Sequence, residues 1–520
     1  MRNTFDAIVV GSGPSGISCA YTLIKRGCRV RLIDAGGLPS KIDPTEFDPF
    51  STNNNRRRWI ENDFWRHGNT KTNNSNLKHE DKRQKHFFTD SSEQIIAKIK
   101  NARVNTSLSV GGFSNVWGGA VLPISEIDAS NWPVSRQMLD PYYRDICEFM
   151  TISSETDGLD GLFPINNAVP HKASIRKQAI DFLDHLDANR INLEREGIYF
   201  GRSKLAANPN VFSPALEHKP GALFNSTAIL VQLLSSTRFS YIGNTFVDKV
   251  AIEGQRAELF CRSTIDQSKL SFSCEKLFLA GGAISTTCLL AKSFYPKRKQ
   301  FYLRTNQNIL FPFLRSRRTH GAIKNSFEDY PEVFLELTNL RTYTKFIHFQ
   351  IYSYGYYVLN PVEHILGKHL SKIIEYLGQP LLERLMVFQC MFHSDYSDKL
   401  VLKIDGNCDD GIKANITGIK NPDLTTLSSE MFKLLFAKRK LLGGIPLTSF
   451  ARHYPPGASF HVGSSFPMSK HPRGLESTIL GQLQGLENLH IVDSTILPNL
   501  PAPTLTYTVM ANSSRIAANA

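Results

Sequence analysis

The chain has 520 residues, of which 41% are hydrophobic and 21% charged, so it is long enough to bury a large core and to form two closely joined domains. No run of about eighteen or more apolar residues is present, which argues against a membrane-spanning helix. The net charge of +13 favours an anionic partner, such as an acidic substrate, a membrane surface or nucleic acid.

Much of the positive charge lies in a polar insertion predicted at about residues 41–105. Its most basic part, residues 56–86, interleaves arginine and lysine with tryptophan and phenylalanine, a mixture that can bind nucleic acid. The composition is more typical of a solvated insertion, so we do not expect a nucleic-acid partner. Residues 364–385 carry an apolar face opposite lysines, which is compatible with peripheral membrane contact but more typical of a helix covering its own domain.

The cysteines and the N-terminus indicate a reducing compartment. The eight cysteines are scattered, with no CxxC pair and no clustered histidines, which argues against a metal site and against a disulfide framework. Asp6 interrupts the first apolar stretch, so we expect no signal peptide and a mature chain that starts here. The sequence therefore predicts a cytoplasmic protein without a bound metal.

The first elements along the chain predict a βαβ unit. Residues 5–10 (FDAIVV) form a short β-branched run, residues 17–26 follow a helical pattern, and residues 29–33 (RVRLI) form a second strand. A βαβ unit of this length at the start of a chain is typical of a doubly wound α/β sheet.

A dinucleotide fingerprint joins the predicted strand to the predicted helix. Gly11 allows a tight turn, Gly13 lets a pyrophosphate approach the backbone, and Gly16 lets the helix pack on the strand. Asp34, at the end of the second strand, is placed to accept hydrogen bonds from a ribose diol. The predicted contacts to an adenine dinucleotide, FAD or NAD, are Gly11, Ser12, Gly13, Pro14, Ser15, Gly16 and Asp34.

The remaining elements suggest a second domain built on a sheet. Residues 139–150 predict a helix, residues 239–261 alternate as hairpin strands do, and residues 276–280 predict another core strand. Residues 332–337 and 345–359 then predict strands of a different sheet. The resulting assignment is 1–150, 206–299 and 451–520 to a nucleotide-binding domain, and 151–205 and 300–450 to a substrate domain.

Three further segments resemble the glucose-methanol-choline (GMC) oxidoreductases. They are GGFSNVWGGAVLP at residues 111–123, LFLAGGAISTTCLL at 277–290, and the stretch from GQLQGLENLHIVDS to the C-terminal helix at 481–517. With the fingerprint, they follow the family's order over nearly the whole chain. The resemblance implies a Rossmann-like FAD-binding domain with an interleaved sheet-based substrate domain, and FAD as the cofactor.

The resemblance also implies roles for individual residues. Gly112, Ser114 and Asn115 would lie along the flavin pyrophosphate and ring, and Val247 would meet the adenine through its backbone. Asp493 would lie near the ribityl chain or pyrophosphate, and the backbone of Pro503 and Thr504 near the pyrimidine edge of the ring.

Two positions in the glycine-rich segment bear on the family branch. Val116, which offers no nucleophile, implies non-covalent FAD. Trp117 resembles the pyranose-oxidising and sugar-acid dehydrogenase branch, which suggests a sugar or polyol substrate.

The same resemblance assigns His461 as the catalytic base, within HVGSSFPM. His453 is its rival, and the second catalytic position of the family is occupied by Ala502. Asn499 is the nearest polar replacement but is more typical of a turn. We therefore expect oxidation of an alcohol to a carbonyl, by a dehydrogenase that passes electrons to a carrier rather than by an oxidase. A flavin-containing lyase or isomerase, and a non-catalytic FAD-binding protein, remain open.

Overall fold

A computed structural model describes residues 5–38, 94–153, 155–165, 175–207, 223–322, 330–338, 340, 343–353, 378–404 and 413–520. The basic part of the predicted insertion and most of the predicted amphipathic segment lie outside these residues. The strands are β1 (Ala7–Val10), β2 (Val30–Ile33), β3 (Ile96–Lys100), β4 (Ile198–Arg202), β5 (Phe239–Ile242), β6 (Thr245–Glu253), β7 (Arg256–Ser263), β8 (Lys269–Cys274), β9 (Lys276–Leu279), β10 (Gln300–Thr305), β11 (Asn308–Arg315), β12 (Val333–Leu337), β13 (Ile347–Tyr352), β14 (Leu385–Phe392), β15 (Lys399–Ile404), β16 (Ala414–Ile419), β17 (Gly444–Pro446), β18 (Arg452–His453), β19 (Val462–Gly463) and β20 (Leu489–Ile491). The helices are α1 (Pro14–Lys25), α2 (Glu126–Ala129), α3 (Arg136–Cys147), α4 (Lys177–Asp187), α5 (Arg190–Arg195), α6 (Ser226–Leu233), α7 (Ala283–Phe294), α8 (Gln379–Leu382), α9 (Leu424–Ala437) and α10 (Thr506–Asn519).

A parallel five-stranded sheet in the order β20–β9–β1–β2–β5 forms the centre of the predicted nucleotide-binding domain. Its central strands are short apolar runs that are almost entirely buried, as expected of a parallel sheet covered on both faces. The predicted βαβ unit is confirmed in β1, α1 and β2. The predicted α/β fold class is confirmed by this sheet and its flanking helices.

The prediction of one hairpin over residues 239–261 is wrong for its first strand. β5 joins the edge of the parallel sheet beside β2, and the antiparallel sheet is formed by β6, β7 and β8. Asn244, in the left-handed conformation with φ 52°, turns the chain between β5 and β6. An edge strand and a hairpin strand carry similar alternating patterns, so the sequence alone does not separate them.

Helix α10 packs on α1, which brings the two ends of the chain together. The Ser513 hydroxyl donates to the Ser15 carbonyl at 2.7 Å, and the Arg26 guanidinium donates to the Ala517 carbonyl at 2.8 Å. Segments from residues 5–38 and 506–520 therefore contribute together to the predicted nucleotide-binding domain.

A second sheet of seven strands has the order β17–β11–β14–β13–β12–β4, and β18 also pairs with β11. One face packs on α4 and α9 through buried aromatic residues, including Phe313 and Phe388, whose rings stack with centroids 4.5 Å apart. Burial of each such phenylalanine contributes about 1.5–3 kcal/mol. The strand predicted at residues 332–337 lies here as β12, and β13 covers residues 347–352 of the strand predicted at 345–359, of which residues 354–359 lie outside the described part of the chain.

A third sheet, β19–β10–β15–β16–β3, connects the two parts. Its strands β10, β15 and β16 come from the predicted substrate segments, and β3 and β19 come from the predicted nucleotide-binding segments. The chain passes from β10 directly into β11 through Asn306 and Gln307. This crossing point lies beside β19 and the residues that precede it.

The described residues contain no candidate for a membrane-spanning helix and no candidate for a metal-binding cluster. None of their helices is both long and apolar enough to cross a bilayer. No group of three histidine, cysteine or carboxylate side chains in the same residues is arranged to hold a metal ion.

Candidate active site

A cavity of about 260 Å³ opens at the carboxyl ends of β1, β2 and β9, where open α/β sheets bind ligands. Residues from distant parts of the chain line it together. Of the residues predicted from the sequence, those that line it are Gly11, Ser12, Gly13, Pro14, Ser15, Asp34, Gly112, Val247, Asp493 and His461.

The three fingerprint glycines have different surroundings. A Cβ atom at Gly11, where φ is +101°, or at Gly16 would overlap a backbone carbonyl oxygen, that of Ala280 or Gly11 respectively. A Cβ atom at Gly13 would meet nothing within 4 Å. Gly11 and Gly16 are therefore required by packing, and Gly13 leaves space at the N-terminus of α1, where backbone N–H groups favour an anion.

Asp34 is buried beneath the fingerprint loop. Its carboxylate accepts hydrogen bonds from the backbone N–H groups of Ser12, at 2.6 Å, and Gly36, at 2.7 Å. Desolvation raises the pKa of Asp34 to about 6, against the opposing effect of these two hydrogen bonds. A carboxylate has about four acceptor positions, so Asp34 shapes the loop and retains acceptor capacity for a ligand.

The glycine-rich segment is braced against the fingerprint. The Ser12 hydroxyl accepts from the Gly111 N–H at 2.8 Å. The Ser114 hydroxyl donates to the Gly111 carbonyl at 2.6 Å, and the Asn115 amide donates to the Val110 carbonyl at 2.7 Å. Neither Ser114 nor Asn115 lines the cavity, so their side chains hold the turn, and their predicted flavin contact stays a prediction.

His461 reaches the cavity from the segment that precedes β19. Its Nδ1 atom lies 3.1 Å from the Oδ1 atom of Asn306, a residue that sequence reasoning missed. Phe113 and Phe460 line the cavity with it, and their rings meet edge to face with centroids 5.5 Å apart. Phe460 has a φ of +64°, a strained conformation for a bulky residue of the kind found at functional sites.

The rival histidine, His453, has a different position. It lies in β18, paired with Ile309 of β11, and is exposed. It is absent from the residues that line the cavity in the described part of the chain. The cavity thus contains His461 and leaves His453 outside.

Two solved structures share the architecture of this chain. Pyridoxine 4-oxidase from Mesorbium loti is similar over 99% of both chains, with 15% sequence identity and a TM-score of 0.61. A fungal aryl-alcohol oxidase is similar over 99% of this chain and 98% of its own, with 13% identity and a TM-score of 0.56. The chain has the GMC oxidoreductase fold. A family model of the NAD(P)-binding Rossmann-like domain matches residues 9–40, and no curated protein sequence matches the chain.

In this GMC fold, the C-terminal segment closes the cavity through Asp493. The carboxylate accepts from the Gly282 N–H at 2.9 Å and from the Thr286 hydroxyl at 2.6 Å, and its burial raises its pKa. Pro503 and Thr504 do not line the cavity; the Thr504 hydroxyl accepts from the Leu122 N–H at 3.0 Å. Their predicted contact with a flavin ring stays a prediction.

The position that the sequence resemblance implies for a second catalytic residue carries no polar side chain. Ala502 is fully buried. The Asn499 side chain, considered as a replacement, accepts a hydrogen bond at 2.8 Å from the Trp132 indole, and neither residue lines the cavity. The sequence predicted turn hydrogen bonds for Asn499, whereas the hydrogen bond that its side chain accepts comes from the indole of Trp132, a residue distant in the sequence.

The serines after His461 depart from the glycine and threonine of the family motif. Ser465 preserves a hydroxyl, which lies 2.6 Å from that of Thr287. Ser464 has a φ of +63°, which suits glycine, and its buried hydroxyl has no hydrogen-bond partner among the described residues.

Replacing Ser464 by Gly is expected to raise the free energy of unfolding by up to about 1.6 kcal/mol. Relief of the left-handed strain contributes about 1–2 kcal/mol, and the added freedom of the unfolded chain subtracts about 0.4–1 kcal/mol. Urea unfolding of the FAD-free protein measures the difference. Ser465→Gly, which removes the bond to Thr287, is the matched control and is expected to destabilise; stabilisation by both changes would contradict the strain argument.

Proposed function

We propose that the protein is an FAD-dependent oxidoreductase that oxidises an alcohol to a carbonyl, with His461 as the base. The observation that carries the proposal is that His461 lines the same cavity as the dinucleotide fingerprint. The two proteins of shared fold are by name oxidases of pyridoxine and of aryl alcohols, which supports alcohol chemistry in this fold.

The residues present fit FAD. Gly13 leaves its side of the loop open where α1 begins, which suits a pyrophosphate, and Asp34 has acceptor capacity for ribose hydroxyls. A Cβ atom built on Gly112 would lie at van der Waals distance from the Cα atom of Gly13. Because glycine has no side chain, the backbone at this turn can lie against a flat ring. Val116 does not line the cavity, which supports non-covalent binding. When bound, FAD supplies a hydride acceptor, N5 of its ring.

The protein's own part in the reaction is removal of a proton. Oxidation of an alcohol breaks the carbinol C–H bond with its electron pair and releases the hydroxyl proton. A neutral imidazole suits proton removal because its ordinary pKa lies near working pH. His461 therefore takes the hydroxyl proton as the C=O bond forms.

The rings beside His461 bear on the substrate. Phe113 and Phe460 line the same cavity as His461 and offer it an apolar surface, which favours an alcohol with a flat or apolar portion. The sugar preference depends on Trp117, whose indole donates to the Phe224 carbonyl at 2.8 Å, outside the cavity. We therefore expect aryl alcohols to be better substrates than sugars.

An anaerobic substrate panel tests the function. The protein as purified is mixed with sugars, polyols, sterols and aryl alcohols, and bleaching of the flavin band is followed. Bleaching by an alcohol with formation of its carbonyl supports the proposal and argues against a lyase or isomerase. Purification without FAD, together with failure to bind added FAD, would favour a non-catalytic protein. Subsequent addition of oxygen separates an oxidase from the dehydrogenase expected from the sequence.

The affinity for FAD is expected to rise as the pH increases through about 6. Ionised Asp34 is the better acceptor for ribose hydroxyls, and burial raises its pKa from 3.8 to about 6 in the FAD-free protein. The same shift means that the Asp34 contribution to FAD-free stability is present below about pH 4 and is lost as the pH rises through about 6. Titration with FAD and urea unfolding at pH 5 and pH 7.5 measure both effects. An affinity that is unchanged between these pH values would contradict the role of Asp34.

A further inference from the structure

Asn306 lies where three parts of the fold meet. It follows β10, and its amide nitrogen lies 2.7 Å from the carbonyl oxygen of Phe392, at the end of β14. The same nitrogen lies 3.3 Å and 3.1 Å from the carbonyl oxygens of Leu500 and Pro501. The side chain is 2% exposed, so water does not compete for these bonds.

These neighbours determine which way the Asn306 amide points. Backbone carbonyl oxygens only accept hydrogen bonds, so the group that faces all three must be the NH₂ group, with its two N–H donors. The opposite orientation would place the amide oxygen against three other oxygens. The assignment of Oδ1 to the side of His461 therefore follows from the hydrogen-bond network.

The amide orientation in turn selects a tautomer of His461. Oδ1 of Asn306 only accepts, and it lies 3.1 Å from Nδ1 of His461. A neutral imidazole makes this hydrogen bond only when Nδ1 carries the proton, and the lone pair is then on Nε2.

We propose that Asn306 is a positioning residue that holds neutral His461 with its proton on Nδ1, so that Nε2 is the atom that receives the hydroxyl proton. The catalytic meaning of this inference rests on the proposed function; the tautomer itself does not. Asn306 comes from the crossing between two sheets and bonds the carbonyls just before Ala502, so it links the base to the segment that lacks the second catalytic side chain. The imidazole is thus oriented through Nδ1, the ring nitrogen that does not receive the hydroxyl proton.

The tautomer is tested by nitrogen NMR of the FAD-bound protein labelled with ¹⁵N-histidine. His461→Gln identifies the His461 signals. We expect a protonated Nδ1 and an unprotonated Nε2 in the native protein, and loss of this preference in Asn306→Ala. A native His461 that carries its proton on Nε2, or one whose signals are unchanged in Asn306→Ala, would overturn the inference.

Ser397→Ala is the matched control. The buried Ser397 hydroxyl accepts from the Gln307 N–H at 2.8 Å and donates to the Phe392 carbonyl, which Asn306 also uses. The change therefore loosens the same turn without removing the acceptor beside His461. We expect the Nδ1 protonation to persist; the same loss of tautomer preference in Ser397→Ala as in Asn306→Ala would reduce Asn306 to a packing role.

The rate of flavin bleaching provides a second readout. Asn306→Ala is expected to lower it about 10- to 100-fold at saturating alcohol, in the range found for residues that orient a reacting group. Asn306→Asp keeps an acceptor beside Nδ1 and adds a negative charge, which favours the protonated imidazole. As the pH is lowered, the bleaching rate of this variant is therefore expected to decline at a higher pH than that of the native protein. If no alcohol bleaches the flavin, the proposed function fails, and the NMR result still decides the tautomer.

Discussion

Replacement of His461 by Gln is expected to lower the rate of alcohol-dependent flavin bleaching by about 10²- to 10⁴-fold, the usual contribution of a general base. Glutamine keeps much of the volume of histidine but does not accept a proton near neutral pH. FAD is expected to remain bound, because the fingerprint, Asp34 and Asp493 are unchanged. Anaerobic stopped-flow absorbance with the best alcohol of the panel measures the rate, and the flavin-to-protein absorbance ratio measures cofactor content.

His453→Gln is the matched control for this prediction. The residue lies eight positions earlier in the chain, in β18, and outside the cavity. We expect less than about a threefold change in rate, since an exposed side chain away from the cavity contributes little to the reaction. A large loss in His453→Gln with a native rate in His461→Gln would transfer the assignment of the base to His453.

Gly16→Ala and Gly13→Ala are expected to fail in different ways. A Cβ at Gly16 overlaps the Gly11 carbonyl oxygen, which neither backbone can avoid, so the cost to folding is expected to be about 3 kcal/mol or more. A Cβ at Gly13 meets no atom within 4 Å, so the fold is expected to be unchanged. The added methyl group instead enters the space that a pyrophosphate needs, and FAD affinity is expected to fall at least about tenfold, or 1.4 kcal/mol.

The two variants are compared by urea unfolding without FAD and by titration of the FAD-free protein with FAD. Each glycine serves as the control for the other, because they lie in one loop and receive the same added atom. A Gly13→Ala protein that binds FAD as tightly as the native chain would place the cofactor elsewhere. A Gly16→Ala protein of native stability would show that the turn can relax.

The parts of the fold that depend on local sequence were predicted well. The strand, glycine turn, helix and strand that end at Asp34 lie within about thirty residues, and each carries its own pattern, so β1, α1 and β2 were found at nearly their observed bounds. β5 was assigned to the wrong sheet because the pairing of an edge strand depends on neighbours that are distant in the sequence. The assignment of His461 to the site followed from a sequence motif, whereas the residues that lie beside it in the folded chain could not be predicted from that motif.

Asn306 shows why the rest of the site is harder to read. It is separated from His461 by 155 residues and stands in a stretch, TNQN, that looks like an ordinary polar turn. Its role follows from three backbone carbonyls and one ring nitrogen that converge only in the folded chain. Ser114 and Asn115 show the converse: they stand in the motif that suggested ligand contact, yet their side chains make the hydrogen bonds that hold the turn.

The parallel sheet combines strands that are synthesised at very different times. β1 is synthesised long before β20, which completes the sheet, and α1 long before α10, which covers it. At ~5–20 residues per second, the first strand waits on the order of a minute for these partners. During that interval the incomplete sheet exposes apolar surface, so the nascent chain is expected to depend on chaperones that bind such surface until β20 and α10 have been made.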